Sequence, residues 1–127
     1  MLYVKTTAKD VTQAVADLER SVTKHGFGLL HSYDFRKTLS EKGFPLANEC
    51  RVLEICNPGQ ASRILQQDMA LNMALPCRVS VYQDAGQTKI GMITPTSILA
   101  LVSPSDDLRA QAGEIERIVR NIIDDAV

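Results

Sequence analysis

The sequence predicts a two-layer α+β domain spanning residues 1–127, with helices on one face of a mostly antiparallel sheet of about five strands. Three observations predict it. Short apolar runs recur with strand-like alternation, amphipathic helical segments begin at recognisable caps, and a turn sequence joins two of the strand-like runs. The resulting order is βαββαββ, followed by a short helix and a long one. Its first six elements match the split-βαβ, ferredoxin-like arrangement.

The elements follow in order along the chain. Residues 1–5 form a short apolar strand. Thr7 stands as an N-cap, with Asp10 three residues on in a capping-box pattern. Val11, Ala14, Val15, Leu18 and Val22 then recur at three- and four-residue steps, giving a helix with one apolar face. Lys24, His25 and Gly26 form its C-terminal signal. Residues 27–35 read as a strand whose alternation sets Phe27, Leu29, His31, Tyr33 and Phe35 on one face. Residues 36–49 are polar, contain Gly43 and Pro45, and read as a loop with an apolar tip at Phe44 and Leu46.

Cys50–Cys56 is the next strand. Asn57 caps a helix, Pro58 takes its first position, and Ala61, Ile64 and Leu65 form its apolar stripe. Residues 69–75 are apolar but irregular. Residues 77–83 and Gln87–Ile93 make a hairpin around Asp84, Ala85 and Gly86. Residues 94–102, opened by Pro95, form a short packed helix. Ser103, Pro104, Ser105 and Asp106 open the last helix with a cap, an early proline and an early acid. Leu108, Ala112, Ile115, Val119, Ile122 and Ala126 follow at 4-3-4-3-4 spacing, a coiled-coil-type seam as much as a core face.

Composition narrows the function classes. Apolar residues make up 45% of the 127, enough for a core without tryptophan. The formal net charge is -1, and no basic run exceeds Arg36 and Lys37, which argues against nucleic acid as a partner. The longest apolar stretch, 98–102, is far short of the ~20 residues that span a bilayer. The N-terminal residues carry no secretory pattern, and the cysteine count is odd, so the chain is expected in the cytoplasm with free thiols.

The stretch from Glu49 to Tyr82, above all EICNP and LPCRVSVY about twenty residues later, resembles the family known as domain of unknown function 302. The likeness extends to the opening strand and helix and to TPTSILAL after the hairpin. It implies a small bacterial or archaeal domain with a compact two-layer fold and a tendency to form homodimers. It implies no settled activity, so no catalytic residue is inherited from it.

The residues themselves offer two candidate sites. Cys56 directly precedes the Asn57 cap, where the helix terminus favours a thiolate. Cys56 and Cys77 are thus candidates for a reactive thiol or soft-metal site, set against a reading in which both are small buried hydrophobes. Cys50 and Cys56 lie about 20 Å apart along one strand and cannot share a metal. Were their strands antiparallel neighbours, the sulfurs of Cys56 and Cys77 could meet; the favoured reading is a strand-helix-strand crossover, which runs parallel within one sheet and would hold them at opposite edges. No CxxC or Cys/His spacing suggests zinc, and no cofactor or metal is expected.

The second candidate is polar. Alternation groups Glu54 with Cys50, Val52 and Cys56, and Arg78 with Ser80 and Tyr82. Should these sets share the helix-free face with His31 and Tyr33, then His31, Tyr33, Glu54, Arg78 and Tyr82 would line a ligand site, or an acid–base site. The rival reading is a plain solvated sheet face. His25 reads as a charge partner at a helix end, Met69, Met73 and Met92 as filler, and Asp106, Asp107, Asp124 and Asp125 as solvated helix ends. Gly26 and Gly28 precede a strand, so they are no phosphate loop. The apolar last-helix seam, 69–75 and 98–102 either cover the single core or form a surface that a second copy covers, and the resemblance tilts this toward a homodimer, one that binds a small ligand or partner without a defined catalytic set.

Overall fold

The computed structural model describes residues 1–102 and 105–127. A five-stranded sheet has the spatial order β1-β5-β4-β3-β2. Its strands are β1 (Leu2–Thr7), β2 (Gly28–Asp34), β3 (Cys50–Cys56), β4 (Cys77–Asp84) and β5 (Gln87–Ile93). Every neighbouring pair is antiparallel. The α+β expectation therefore holds, but the ferredoxin-like order does not. β1 lies on the far edge beside β5, and α1 (Val11–Lys24) carries the chain across the whole sheet to the other edge.

The helices form one layer. Val11, Ala14, Val15, Leu18 and Val22 of α1 are buried, and so is the full seam of α5 (Asp106–Ala126). These stripes meet the sheet face made by Leu53, Ile55, Val79, Val81 and Ile90, all fully buried. The α5 seam is thus core rather than association surface, because α1 and the sheet already cover it. The exposed apolar residues of the later segments are Met69, Met73, Leu101 and Val102. A buried hydroxyl ties the two helices together: Ser21 Oγ donates to the Ile122 carbonyl at 2.7 Å.

Local chemistry sets the helix ends. Asp10, not Thr7, caps α1, accepting from Gln13 N at 2.8 Å; β1 hydrogen-bonds through Thr7 and delays the start. Asp34 accepts from Lys37 N at 3.1 Å and opens a short helix, α2 (Phe35–Glu41), where the polar composition suggests only loop. Asn57 caps α3 (Pro58–Gln67), accepting from Gln60 N at 3.1 Å. Ile64 is its buried apolar residue, and Gln60, rather than Ala61 or Leu65, joins it inside. A 3-10 turn (Met69–Ala74) follows. α4 (Pro95–Val102) follows β5. Ser105 caps α5, accepting from Leu108 N at 3.3 Å; the Ser103 and Pro104 part of that expected start lies outside the described residues.

The C-terminal acids of α5 are paired, not merely solvated. Asp125 meets His25 Nε2 at 2.6 Å and Lys24 at 3.8 Å, and Asp124 accepts the Tyr3 hydroxyl at 2.5 Å. These contacts offset carboxylates at the unfavourable end of a helix dipole. The positive side chains hold the Asp125 carboxyl below its ordinary pKa, hydrogen bonding to His25 being the main cause. Glu116 joins α5 to the start of α4. It accepts from Thr96 N at 3.2 Å, Thr96 Oγ1 at 2.6 Å and Arg120 at 3.1 Å. Burial works to raise the Glu116 pKa, but the bonds from Thr96 and Arg120 outweigh it and hold the carboxyl below the ordinary range.

Carboxylates with depressed folded-state pKa values stabilise the fold above their unfolded values and lose that contribution as pH falls through the folded ones. The melting temperature should therefore hold from neutral pH down to about pH 4 and then fall. Glu116→Ala should cost about 1–3 kcal/mol at neutral pH, by orphaning the Thr96 donors, and should make the acid limb shallower. Thermal unfolding of both proteins across pH measures this; an unchanged acid limb would show that Glu116 contributes nothing to it.

Candidate functional site

The connection between β3 and β4 is not a parallel crossover. The chain leaves β3 at Cys56, folds α3 and the 3-10 turn at that end of the sheet, and re-enters as β4 beside β3, running the opposite way. The apolar irregular stretch forms the turn that makes this return possible. Register then pairs Glu54 with Arg78, Val52 with Ser80 and Cys50 with Tyr82. On the other side of β3, Glu54 stands against His31, and Val52 against Tyr33.

A bulge makes this alignment possible. Leu29 pairs with Ile55, a residue of the buried face, while His31, two positions on, pairs with Glu54 of the open face. Leu29 and His31 consequently do not share a face as plain alternation implies, because the extra residue resets the pleat. The rings of His31 and Tyr33 meet edge to face with centroids 4.4 Å apart, and Tyr33 stacks on Phe35 at 6.0 Å. Hydrogen bonding to Glu54, then burial and the carboxylate charge, push the Tyr33 phenol above its ordinary pKa, with Arg78 opposing.

A cleft lies beside this strip. β4 and β5 pair from Asp84↔Gln87 to Ser80↔Gly91 and then part, although both strands continue. β4 follows β3 as far as Ile55↔Cys77, and β5 follows β1 as far as Leu2↔Ile93. Between the parted strands opens a cavity of about 520 Å³. Its open-face wall carries Leu2, Val4, Ile93, Glu54, Arg78, Ser80 and Tyr82; its inner wall includes Leu71, Leu99 and Ile115. Gly91 sits at the fork. A Cβ there would lie 2.8 Å from Val4 Cγ2 and 3.1 Å from the Tyr3 carbonyl oxygen, so glycine lets β1 close on β5 beside the opening.

Of the polar candidates, Glu54, Arg78 and Tyr82 line this cleft. His31 and Tyr33 stand on the edge strand beyond Glu54, outside its lining. Arg78 is exposed and, among the described residues, forms no hydrogen bond or ion pair even though Glu54 is its ladder partner. The hydroxyls of Ser80 and Tyr82 likewise have no hydrogen-bond partner among the described residues.

The antiparallel return also places Cys56 and Cys77 at the same end of the sheet, against the expectation that a crossover keeps them apart. Both line a small cavity of about 20 Å³, together with Gln60, whose buried Oε1 has no hydrogen-bond partner among the described residues. A space of this size holds a single water molecule. The helix start does not activate the thiols. Burial pushes Cys56 up, and burial together with the nearby Cys56 pushes Cys77 up to about 11. All three cysteines are free, and among the described residues no group of three or more His, Cys, Asp and Glu side chains is placed to hold a metal ion. No helix among the described residues is long and apolar enough to cross a membrane.

Residues 3–126 match the family model described as domain of unknown function DUF302. The chain belongs to the DUF302 family. It is similar to the crystal structure of an uncharacterized conserved DUF302 protein from Bacillus stearothermophilus. The identity is 31% and the TM-score 0.94, over 99% of this chain and 98% of that one. No curated protein matches the chain.

Several residues of the DUF302 cleft carry no sequence signal of their own. Leu2, Val4 and Ile93 read as ordinary strand residues, and their place at the mouth follows only from β1 pairing with β5. The apolar irregularity of 69–75 was the one available hint, since a run that fits neither helix nor strand is often shaped by what it covers.

Thiol reactivity tests the cysteine candidates directly. Alkylation rates of the native protein across pH should show no inflection below the free-thiol value of about 8.5. A thiolate titrating near neutral pH would contradict the burial seen around Cys56 and Cys77.

Proposed function

We propose that this DUF302 protein binds a small, largely apolar molecule in the cleft between β4 and β5, and that it does so as a cytoplasmic homodimer with no defined catalytic set. The cleft carries the reading. Its volume of about 520 Å³ falls in the range of small-molecule sites, and it combines apolar walls with a few convergent polar groups. The enzyme alternative built on His31, Glu54 and Arg78 is less well supported, because His31 is outside the cleft lining. The thiol alternative is disfavoured by the raised pKa values of Cys56 and Cys77, which leave little thiolate at neutral pH.

Two further observations support the remaining parts of the reading. The helix-free sheet face exposes Leu2 and Ile93, apolar area of the kind that a second copy covers in a two-fold dimer. The unpaired cysteines suit a reducing compartment.

A neutral apolar fluorophore, N-phenyl-1-naphthylamine, should brighten on binding the protein. Ala74→Trp, which places an indole in the cleft lining, should abolish the enhancement while circular dichroism and melting temperature stay near wild type. Equal enhancement in both proteins, or none in wild type, would remove the cleft as a ligand site. Light scattering after size exclusion tests the dimer separately: a monomer at high micromolar concentration would refute it and leave the binding reading intact.

A further inference from the structure

We infer that the cleft ligand is an amphipathic anion, a medium-chain monocarboxylate whose acid group sits on Arg78 and whose alkyl chain passes between β4 and β5 to the inner wall. This rests on the cleft being a ligand site and goes further in naming the chemistry.

Charge decides the polar end. Arg78 and Glu54 are the only charged residues among those lining the cleft. They face each other across the ladder, and a mutual ion pair would leave the site neutral and satisfied. That pair is not made. Arg78 stands on the parted end of β4, at the opening itself, whereas Glu54 stands one strand farther from it, on β3. The charge nearest the opening is therefore the cation, and among the described residues it forms no hydrogen bond or ion pair. A guanidinium presents paired N–H donors in a plane that matches a carboxylate.

The neighbouring hydroxyls strengthen this polarity. Ser80 and Tyr82 follow Arg78 at two-residue steps on the same strand, so all three side chains rise from one face of β4. Each hydroxyl can donate to an anion, and neither has a partner among the described residues. An ammonium head would meet Arg78 as a like charge at the opening before it reached Glu54 on the next strand. A purely neutral ligand would leave the guanidinium unmatched.

Depth decides the other end. From Arg78 the space continues through the fork of the strands to Leu71, Leu99 and Ile115, all at least nine-tenths buried, and no charged group stands on that inner side. An apolar space behind a cationic mouth suits a flexible alkyl chain with a terminal acid. It suits a sugar or nucleotide poorly, since their hydroxyls would have no partners along the inner wall.

Isothermal titration with decanoate, decanol and decylammonium separates the possibilities. Wild-type protein should bind decanoate more tightly than decanol, and decylammonium least. Arg78→Gln should weaken decanoate by about ten- to hundredfold, the worth of a hydrogen-bonded charge, while leaving decanol within about twofold. Arg78 is exposed, so its replacement should leave the melting temperature unchanged. If decanol or decylammonium binds wild type as tightly as decanoate, or Arg78→Gln weakens acid and alcohol alike, the anion assignment is wrong and the cleft reading survives. If none of the three binds, and the fluorophore is also ignored, both fall.

Discussion

The antiparallel return of β4 onto β3 is the constraint from which the candidate site follows. Once Ile55 stands opposite Cys77, the row of Glu54 against Arg78 is fixed, and with it the row of Val52 against Ser80. The same return brings two cysteines to one end of the sheet. It also forces α3 and the 3-10 turn to stack at that end instead of crossing the sheet, so Leu71 reaches the inner wall of the cleft. A parallel β4 would have placed Arg78 far from Glu54 and left no strand end for β5 to part from.

The cleft is a consequence of two ladders competing for the ends of two strands. β3 holds the start of β4, and β1 holds the end of β5, so neither strand end can lean toward the other without breaking a paired neighbour. Sheet twist separates strand ends that are not hydrogen-bonded together. The helical layer does not fill the gap, because α1 and α5 spend their apolar stripes on the centre of the sheet and on each other. The opening is thus built from backbone pairing, and it does not require any side chain to be strained.

The electrostatics of the helix-free face are uneven in an informative way. Acidic and basic groups elsewhere are mostly matched: Asp17 with Lys9 and Arg20, Asp125 with His25, Glu116 with Arg120, and Asp84 with Lys89. Arg78 is not among these pairs, and its place at the cleft is what sets it apart from other cations unpaired among the described residues, such as Arg63 and Arg117. Exposed arginines without partners are ordinary on a solvated surface, but one beside a deep apolar opening has a local dielectric that makes an incoming carboxylate worth more. The bulge in β2 matters here as well, because it sets His31 beside Glu54 and Tyr33 beside Val52 on the open face.

Much of this was legible from the residues. Periodicity located nearly every element, alternation correctly grouped Glu54 apart from the core and Arg78 with Ser80 and Tyr82, and the Ala85–Gly86 turn was readable from its composition. These are local properties, dictated by side-chain spacing and backbone preference within a few residues. Local pattern carries no information on which strand lies beside which. It therefore favoured a crossover between β3 and β4, left α2 in a loop, and left the α5 seam open between core and interface. Strand order, the direction of β4, the parting of β4 from β5 and the burial that raises the thiol pKa values all depend on contacts between residues far apart in the chain. Those were decided only when the helices and strands packed, because the free energy that selects among pairings comes from burying one shared core and not from any single segment.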